Sequence, residues 1–320
     1  MRIVFMGTPD FAVPALKALA SHGHEIVGVF TQPDRPAGRG KKLKPSPVKV
    51  AAQALNLQVF QPETIKNPEG IQQLKDLSPE CIIVVAYGQI LSKEILHLPP
   101  KGCINVHASL LPAYRGAAPI HWAVMQGEKF TGVTTMLMDE GLDTGDILLK
   151  REIPISNDAT TGEIHDKLAE LGGEILIDTL EEWESGNLKP VSQTGESNYA
   201  PLLKRRHEIL VWSSSAENLH DQIRGLNPWP GAFTLFRGDN LKIWRSKLVH
   251  NQDDPLTMPG DSKQFAPEPG EIIRVFGDEL LVQTGKGMLS VLEVQPAGKG
   301  IMPARDFFNG RHGKAGEKFG

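Results

Sequence analysis

The stretch Cys81-Ile82-Ile83-Val84-Val85-Ala86, closed by Tyr87-Gly88, is apolar without interruption. A strand with one wet face alternates apolar and polar residues. A strand covered on both faces does not, because every side chain meets a packed layer. The run is too short for an ordinary helix and stops at a glycine, so it reads as a central parallel strand. Outward from it the pattern repeats. Arg2-Ile3-Val4-Phe5-Met6 reads as a second buried strand broken at Gly7, and residues 25–30 and 102–107 read as two more. Residues 11–20 have helical spacing, with Phe11, Leu16 and Leu19 inward. Residues 31–47 read as a loop, and 48–55 and 119–125 as helices. Residues 132–138 and 146–155 look like a strand pair with a glycine-rich connection. Strands interleaved with helices predict an α/β domain built on a Rossmann-like, open, mostly parallel sheet.

Thr160 with Glu163 fits a capping box that opens a long helix. Ile164, Leu168, Leu171, Ile175 and Trp183 share one face of it, and Gly186 and Pro190 end it. Residues 189–207 are polar, with proline, glycine, serine and asparagine, and read as a linker. The texture then changes. After a helix at 216–224, short strands at 232–236, 241–244, 271–275, 280–283 and 289–294 are divided by Gly, Pro and Asp. That rhythm predicts a small β-barrel of the oligonucleotide-binding kind. The expected division is residues 1–188, a linker at 189–207, and a second domain at 208–320. The polar tail from Arg311 on is expected to fray.

The 320 residues are 40% apolar and 22% charged, enough to bury a core and too apolar for disorder. A net charge of −4 gives no global basic field. No apolar run follows a basic start and none is long enough for a bilayer, so neither a signal peptide nor a membrane span is expected. The only two cysteines, Cys81 and Cys103, each open an apolar strand and read as small core residues of a cytoplasmic protein. The histidines and cysteines lack metal-ligand spacing, so no metal is expected. Gly7-Thr8-Pro9-Asp10 sits where a dinucleotide fold places its phosphate loop, but its single glycine argues against a nicotinamide cofactor.

Three segments could carry chemistry. In Gly102-Cys103-Ile104-Asn105-Val106-His107, Asn105 and His107 are two apart and face the same side of a strand end. Ligands of open α/β sheets bind at that end. An amide can donate to a developing oxyanion, and an imidazole can exchange a proton. The same pair could equally cap the strand and bind backbone. Met138-Asp139-Glu140-Gly141-Leu142-Asp143-Thr144-Gly145-Asp146 lacks the EF-hand spacing of a calcium loop and reads either as a solvated turn or, if it lies beside the Asn105 strand, as the source of a carboxylate that orients His107 and favours its charged form. The irregular Ser109-Leu110-Leu111-Pro112 loop is either a hydrophobic plug or the wall of a pocket for a flat ligand. A fourth segment carries charge: Arg35, Arg39, Lys41, Lys42, Lys44 and Lys49, with no acid among residues 35–49. It is either a solvated face or, given its length and charge, a loop suited to the phosphates of a nucleic acid.

Together, Asn105-x-His107, the Ser109–Pro112 loop and Gly141-Leu142-Asp143-Thr144-Gly145 resemble the formyltetrahydrofolate-dependent formyltransferases. The Phe5-Met6-Gly7-Thr8-Pro9-Asp10-Phe11 start fits the same family, and the resemblance covers essentially the whole chain. The basic loop, Asn227-Pro228-Trp229-Pro230-Gly231-Ala232 and Gln295-Pro296-Ala297-Gly298-Lys299 are similar to the members that act on initiator methionyl-tRNA. The resemblance implies formyl transfer from 10-formyltetrahydrofolate, as co-substrate, to the methionine amino group. It implies that Asn105 and His107 stabilise the tetrahedral oxyanion while Asp143 holds His107 charged and helps the amine lose its proton. Ser109, Leu110, Leu111 and Pro112, with Tyr87, Gly88, Gln89 and Ile90, would line the folate pocket. Arg39, Lys41, Lys42 and Lys44 would enter the acceptor end of the tRNA, and the barrel would hold its acceptor arm. A monomer is expected. Another folate-dependent formyltransferase, a formylfolate hydrolase, or an RNA-binding protein without activity are the competing expectations.

Overall fold

The computed structural model describes residues 1–37, 42–249 and 267–320. By packing, the chain forms two compact units that do not follow a single cut. Met1–Pro119, Phe130–Pro154 and His165–Pro201 make the first; Ile120–Lys129, Ile155–Ile164 and Leu202–Gly320 make the second.

In chain order the first unit holds β1 (Arg2–Gly7), α1 (Val13–Ser21), β2 (Glu25–Phe30), β3 (Arg35–Ala37), β4 (Lys42–Lys44), α2 (Pro47–Ala54), β5 (Val59–Phe60), α3 (Pro68–Leu77), β6 (Cys81–Val85), α4 (Lys93–Leu96), β7 (Cys103–His107) and β8 (Arg115–Gly116). After α5 (Pro119–Met125) come β9 (Phe130–Leu137), β10 (Ile147–Pro154), α6 (Thr161–Glu184) and β11 (Tyr199–Ala200). Seven strands form one sheet in the order β10-β9-β7-β6-β1-β2-β5. The apolar run at Cys81 is its middle strand and is buried throughout. The pairs β2–β5, β1–β2, β1–β6 and β6–β7 are parallel, whereas β7–β9 and β9–β10 are antiparallel.

Local chemistry sets the helix starts. Ser46 Oγ accepts from the Lys49 N–H and Asn67 Oδ1 from the Gly70 N–H, each ahead of a proline in the first turn. The predicted capping box is present: Thr160 N–H donates to Glu163 Oε2 at 2.8 Å, and Glu163 N–H returns to Thr160 Oγ1 at 3.3 Å. The 31–47 segment, expected as a loop, carries the β3–β4 hairpin. The segment 189–207 is not wholly a free linker either, since β11 pairs in parallel with β8.

The second unit adds α7 (Ala216–Gly225), β12 (Ala232–Phe236), β13 (Asp239–Leu248), β14 (Ile272–Phe276), β15 (Glu279–Gln283), β16 (Met288–Pro296), β17 (Met302–Pro303) and α8 (Ala304–Gly310). Its antiparallel sheet runs β12-β13-β16-β15-β14, with β17 on β16. The 155–164 stretch belongs here because α7 holds it. His220 Nε2 lies 3.0 Å from the Asn157 carbonyl, Arg224 donates to the Ala159 carbonyl at 3.0 Å, and Thr161 Oγ1 donates to the Gly225 carbonyl at 2.7 Å.

The expectation of a frayed tail fails. Phe319 bridges Phe236 of β12, and Lys318 bridges Glu271 just before β14, so the chain end joins the two edge strands. Phe319 is 3% exposed and stacks on Trp212 at 5.3 Å. Polar composition hid this, because one buried aromatic and a few backbone bonds suffice to anchor a tail.

Candidate active site

Three strand ends meet at the carboxyl edge of the sheet. Gly7 of β1 pairs with Val85 of β6, and Val84 of β6 pairs with Asn105 of β7. The loops beyond them are tied together: Thr8 Oγ1 donates to the Tyr87 carbonyl at 2.8 Å. On β7, Ile104 and Val106 are buried. Asn105 and His107 are nearly so, at 9% and 6% exposure. Among the described residues the Asn105 amide makes no hydrogen bond. An almost buried amide without a protein partner can donate to a bound group.

Both nitrogens of His107 face oxygen. Nε2 lies 3.0 Å from the Tyr114 carbonyl, and Nδ1 lies 3.8 Å from Asp143 Oδ1. The second distance is longer than a hydrogen bond, so the contact is charge facing ring. The other oxygen of Asp143 accepts the Gly116 N–H at 2.8 Å. Tyr114 and Asp143 both sit in the left-handed region, at φ +57° and +52°. That conformation costs a non-glycine residue on the order of 1 kcal/mol and persists where surroundings enforce it. Gly116, at φ +114°, has no room for a side chain: a Cβ there would lie 2.8 Å from the Ala200 carbonyl.

The loop after β7 is fixed from β9 and β10. Thr134 Oγ1 donates to the Ser109 carbonyl at 2.7 Å and accepts from the Leu111 N–H at 3.1 Å. Ser109 Oγ donates to the Ala113 carbonyl at 2.6 Å, the Leu111–Pro112 peptide is cis, and Lys150 Nζ donates to the Leu111 carbonyl. Ser109 and Leu111 are buried, while Leu110 and Pro112 are half-buried.

The Tyr87–Ile90 segment divides in the same way. Tyr87 belongs to one buried core cluster with Val4, Phe30, Leu74 and Ile95, and burial pushes its phenol well above the ordinary range. Its hydroxyl has no partner among the described residues. Gln89 is spent on backbone, accepting from the Ile65 N–H at 2.7 Å and donating to the Pro62 carbonyl at 3.2 Å. Gly88 has φ +85°, and Ile90 is 73% exposed. Of this segment's side chains, only that of Ile90 is largely exposed.

Of the basic set, Arg39 and Lys41 lie outside the described residues. Lys42 is described by its backbone, paired with Ala37 in the hairpin. Lys44 is exposed and makes no ion pair among the described residues. Lys49 pairs with Asp34 at 2.7 Å and Arg35 with Glu63 at 3.5 Å. Hydrogen bonds from Gln61 and Lys49 hold the Asp34 carboxyl below the usual range.

Sequence reasoning missed Thr134, Arg115, Gln193 and Asn198, all of which touch the loops of the site. Gln193 and Asn198 fall in a polar stretch whose composition signals a solvated linker, so nothing in the sequence distinguished them. Among the described residues no group of three His, Cys, Asp or Glu side chains could hold a metal ion, and no helix is long and apolar enough to cross a membrane.

The first unit thus sets a polar pair at the carboxyl end of β7 with a carboxylate facing its histidine, and the second holds a small antiparallel sheet. The family description "Formyl transferase" matches residues 1–180, and "Formyl transferase, C-terminal domain" matches residues 202–312. A methionyl-tRNA formyltransferase of Heliobacterium modesticaldum is 53% identical over the full length of both chains. One from Pelotomaculum thermopropionicum is 51% identical over 97% of this chain and 96% of its own. The chain belongs to the formyl transferase family, among the methionyl-tRNA formyltransferases. Solved structures share its fold. A sugar 3N-formyl transferase, WlaRD, crystallised with dTDP and 5-N-formyl-THF, superposes with a TM-score of 0.66 at 19% identity, over 94% of this chain and 99% of that one. HypX from Aquifex aeolicus, in complex with tetrahydrofolic acid, superposes with a TM-score of 0.62 at 17% identity, over 96% of this chain and 47% of that one.

Proposed function

We propose that this protein transfers the formyl group of 10-formyltetrahydrofolate to the amino group of initiator methionyl-tRNA, giving formylmethionyl-tRNA for translation initiation. The uncommitted Asn105 amide beside His107, which faces Asp143, carries the chemical part of the reading. Relatives of the same length at about half identity carry the choice of acceptor.

The methionine nitrogen attacks the formyl carbon, and the carbonyl opens to an oxyanion. Asn105 Nδ2 and the His107 ring stabilise that charge as it forms. The Asp143 carboxylate orients His107 and takes the proton released by the amine, directly or through water. Collapse breaks the bond from the formyl carbon to the folate nitrogen, which picks up a proton and leaves as tetrahydrofolate. The half-buried Leu110 and Pro112, the backbone at Tyr87–Gln89 and the exposed Ile90 form the folate wall. Ser109 and Leu111 shape that wall from behind.

Residues 1–188 supply the chemistry and 208–320 the hold on the tRNA acceptor arm. Arg39, Lys41, Lys42 and Lys44 enter the acceptor end through phosphate contacts. The protein works as a cytoplasmic monomer. Formylation of initiator and elongator methionyl-tRNA, compared side by side with 10-formyltetrahydrofolate, tests the assignment. Failure on both refutes the acceptor. Phosphate contacts also require tRNA affinity to fall steeply with salt, and a flat response refutes that role for the basic loop.

A further inference from the structure

The segment 191–200 crosses the mouth loops of the site like a strap. Val191 and Ile147 exchange backbone hydrogen bonds at 2.8 and 2.9 Å, and Ser192 Oγ donates to Asp146 at 2.9 Å. Gln193 Nε2 donates to the carbonyls of Asp143 at 2.9 Å and Gly145 at 2.8 Å. Its Oε1 accepts from Arg115 Nη2 at 2.6 Å and Nε at 3.1 Å. Asn198 Oδ1 accepts the Tyr114 N–H, and its carbonyl accepts the Arg115 N–H at 3.1 Å. Beyond it, Tyr199 and Ala200 pair with Arg115 and Gly116.

Two of these bonds fall on the two left-handed residues of the site. Gln193 holds the backbone of Asp143, whose carboxylate faces His107. Asn198 holds Tyr114, whose carbonyl faces the other nitrogen of the same ring. Each strained backbone thus has a polar side chain from the strap as its clamp. We infer that Gln193 and Asn198 are positioning residues for formyl transfer, setting the Asp143 carboxylate and the His107 ring respectively. The inference rests on the proposed roles of Asp143 and His107. Neither side chain needs to touch a substrate. A misplacement of about 1 Å at the reacting groups can cost on the order of 100-fold in rate, and the clamps prevent that.

The test is a cycle in the full-length protein, read as kcat and KM for folate and tRNA, with thermal melts to confirm folding. Gln193→Ala is expected to lower kcat by about 10- to 100-fold with little change in either KM. In an Asp143→Asn background the same substitution is expected to cause no further loss. Asn198→Ala is expected to lower kcat, whereas Asn198→Asp keeps an acceptor for the Tyr114 N–H and restores it. If Gln193→Ala does not fold, Gln193→Glu serves in its place: its carboxylate still accepts from Arg115 but offers no N–H to the two carbonyls. Equal losses from the Gln193 change in both backgrounds, or an effect confined to KM, would overturn the positioning role while leaving the site assignment intact. Full activity of Asp143→Asn alone overturns the site assignment, and the strap's role with it.

Discussion

Oδ1 of Asp143 faces Nδ1 of His107 at 3.8 Å, while Oδ2 of the same carboxylate holds the Gly116 N–H at 2.8 Å. One carboxylate therefore anchors its own turn to the loop after β7 and presents its free oxygen to the histidine. Asp143→Asn keeps an acceptor for Gly116 and removes the charge. We expect kcat to fall by at least about 100-fold with the fold intact. Steady-state formylation beside a melting curve measures both, and an unchanged kcat would exclude the carboxylate from proton transfer.

Asn105→Ala removes a donor that makes no hydrogen bond among the described residues. Its loss should therefore be catalytic rather than structural: about 100-fold in kcat, with the folate KM and the melting temperature little changed. A large drop in stability with normal kcat would mean that Asn105 only caps the strand.

Tyr87 offers a change in the opposite direction. Its hydroxyl is buried without a partner among the described residues. Tyr87→Phe removes an unpaired polar group from the core and should stabilise the protein by about 1 kcal/mol, with the folate KM unaltered. Denaturant titration and folate kinetics check the two halves separately. Loss of folate affinity would mean that the hydroxyl, and not just the backbone of this segment, meets the ligand.

Phe319 tests the anchored tail. It is 3% exposed, stacked on Trp212 and edge-on to Phe236 at 5.8 Å. Phe319→Ala should destabilise the second unit by about 3 kcal/mol. Calorimetry that finds no change would return the tail to the frayed state its composition suggests.

The two thiols give a chemical test of the central strands. Cys81 and Cys103 are 0% and 1% exposed. Burial pushes the Cys103 thiol up to about 12 and the Cys81 thiol higher still. At pH 8 both should be protonated, and a disulfide reagent should label them at the rate of unfolding, since the thiolate is the reactive form. Labelling within the mixing time in native buffer would contradict the burial.

Much of the fold was legible in the sequence, and the reason is physical. An uninterrupted apolar run such as Cys81–Val85 has few stable placements other than a strand covered on both faces. The capping box at Thr160 and Glu163 is a local motif, closed within four residues, so no distant contact could change it. Asn105 and His107 project together because the strand period is two. The α3 helix was not read, since its apolar positions are few and its start rests on the Asn67 cap. The pairing of β3 with β4 was hidden by glycine, proline and charge.

The sequence by itself determined that Asn105 and His107 project together from one strand end, because strand alternation acts over a few residues; it singled out Asp143 only through the family resemblance. Tertiary structure alone decided what surrounds them. It turned Tyr87 into the core and spent Gln89 on backbone. It assigned residues 120–129 and 155–164 to the second unit. It drew Gln193 and Asn198, 50 and 84 residues from Asp143 and Tyr114 in the chain, onto the loops of the site. Those bonds depend on where the sheet places two loop backbones, and a pattern confined to neighbouring residues carries no trace of that.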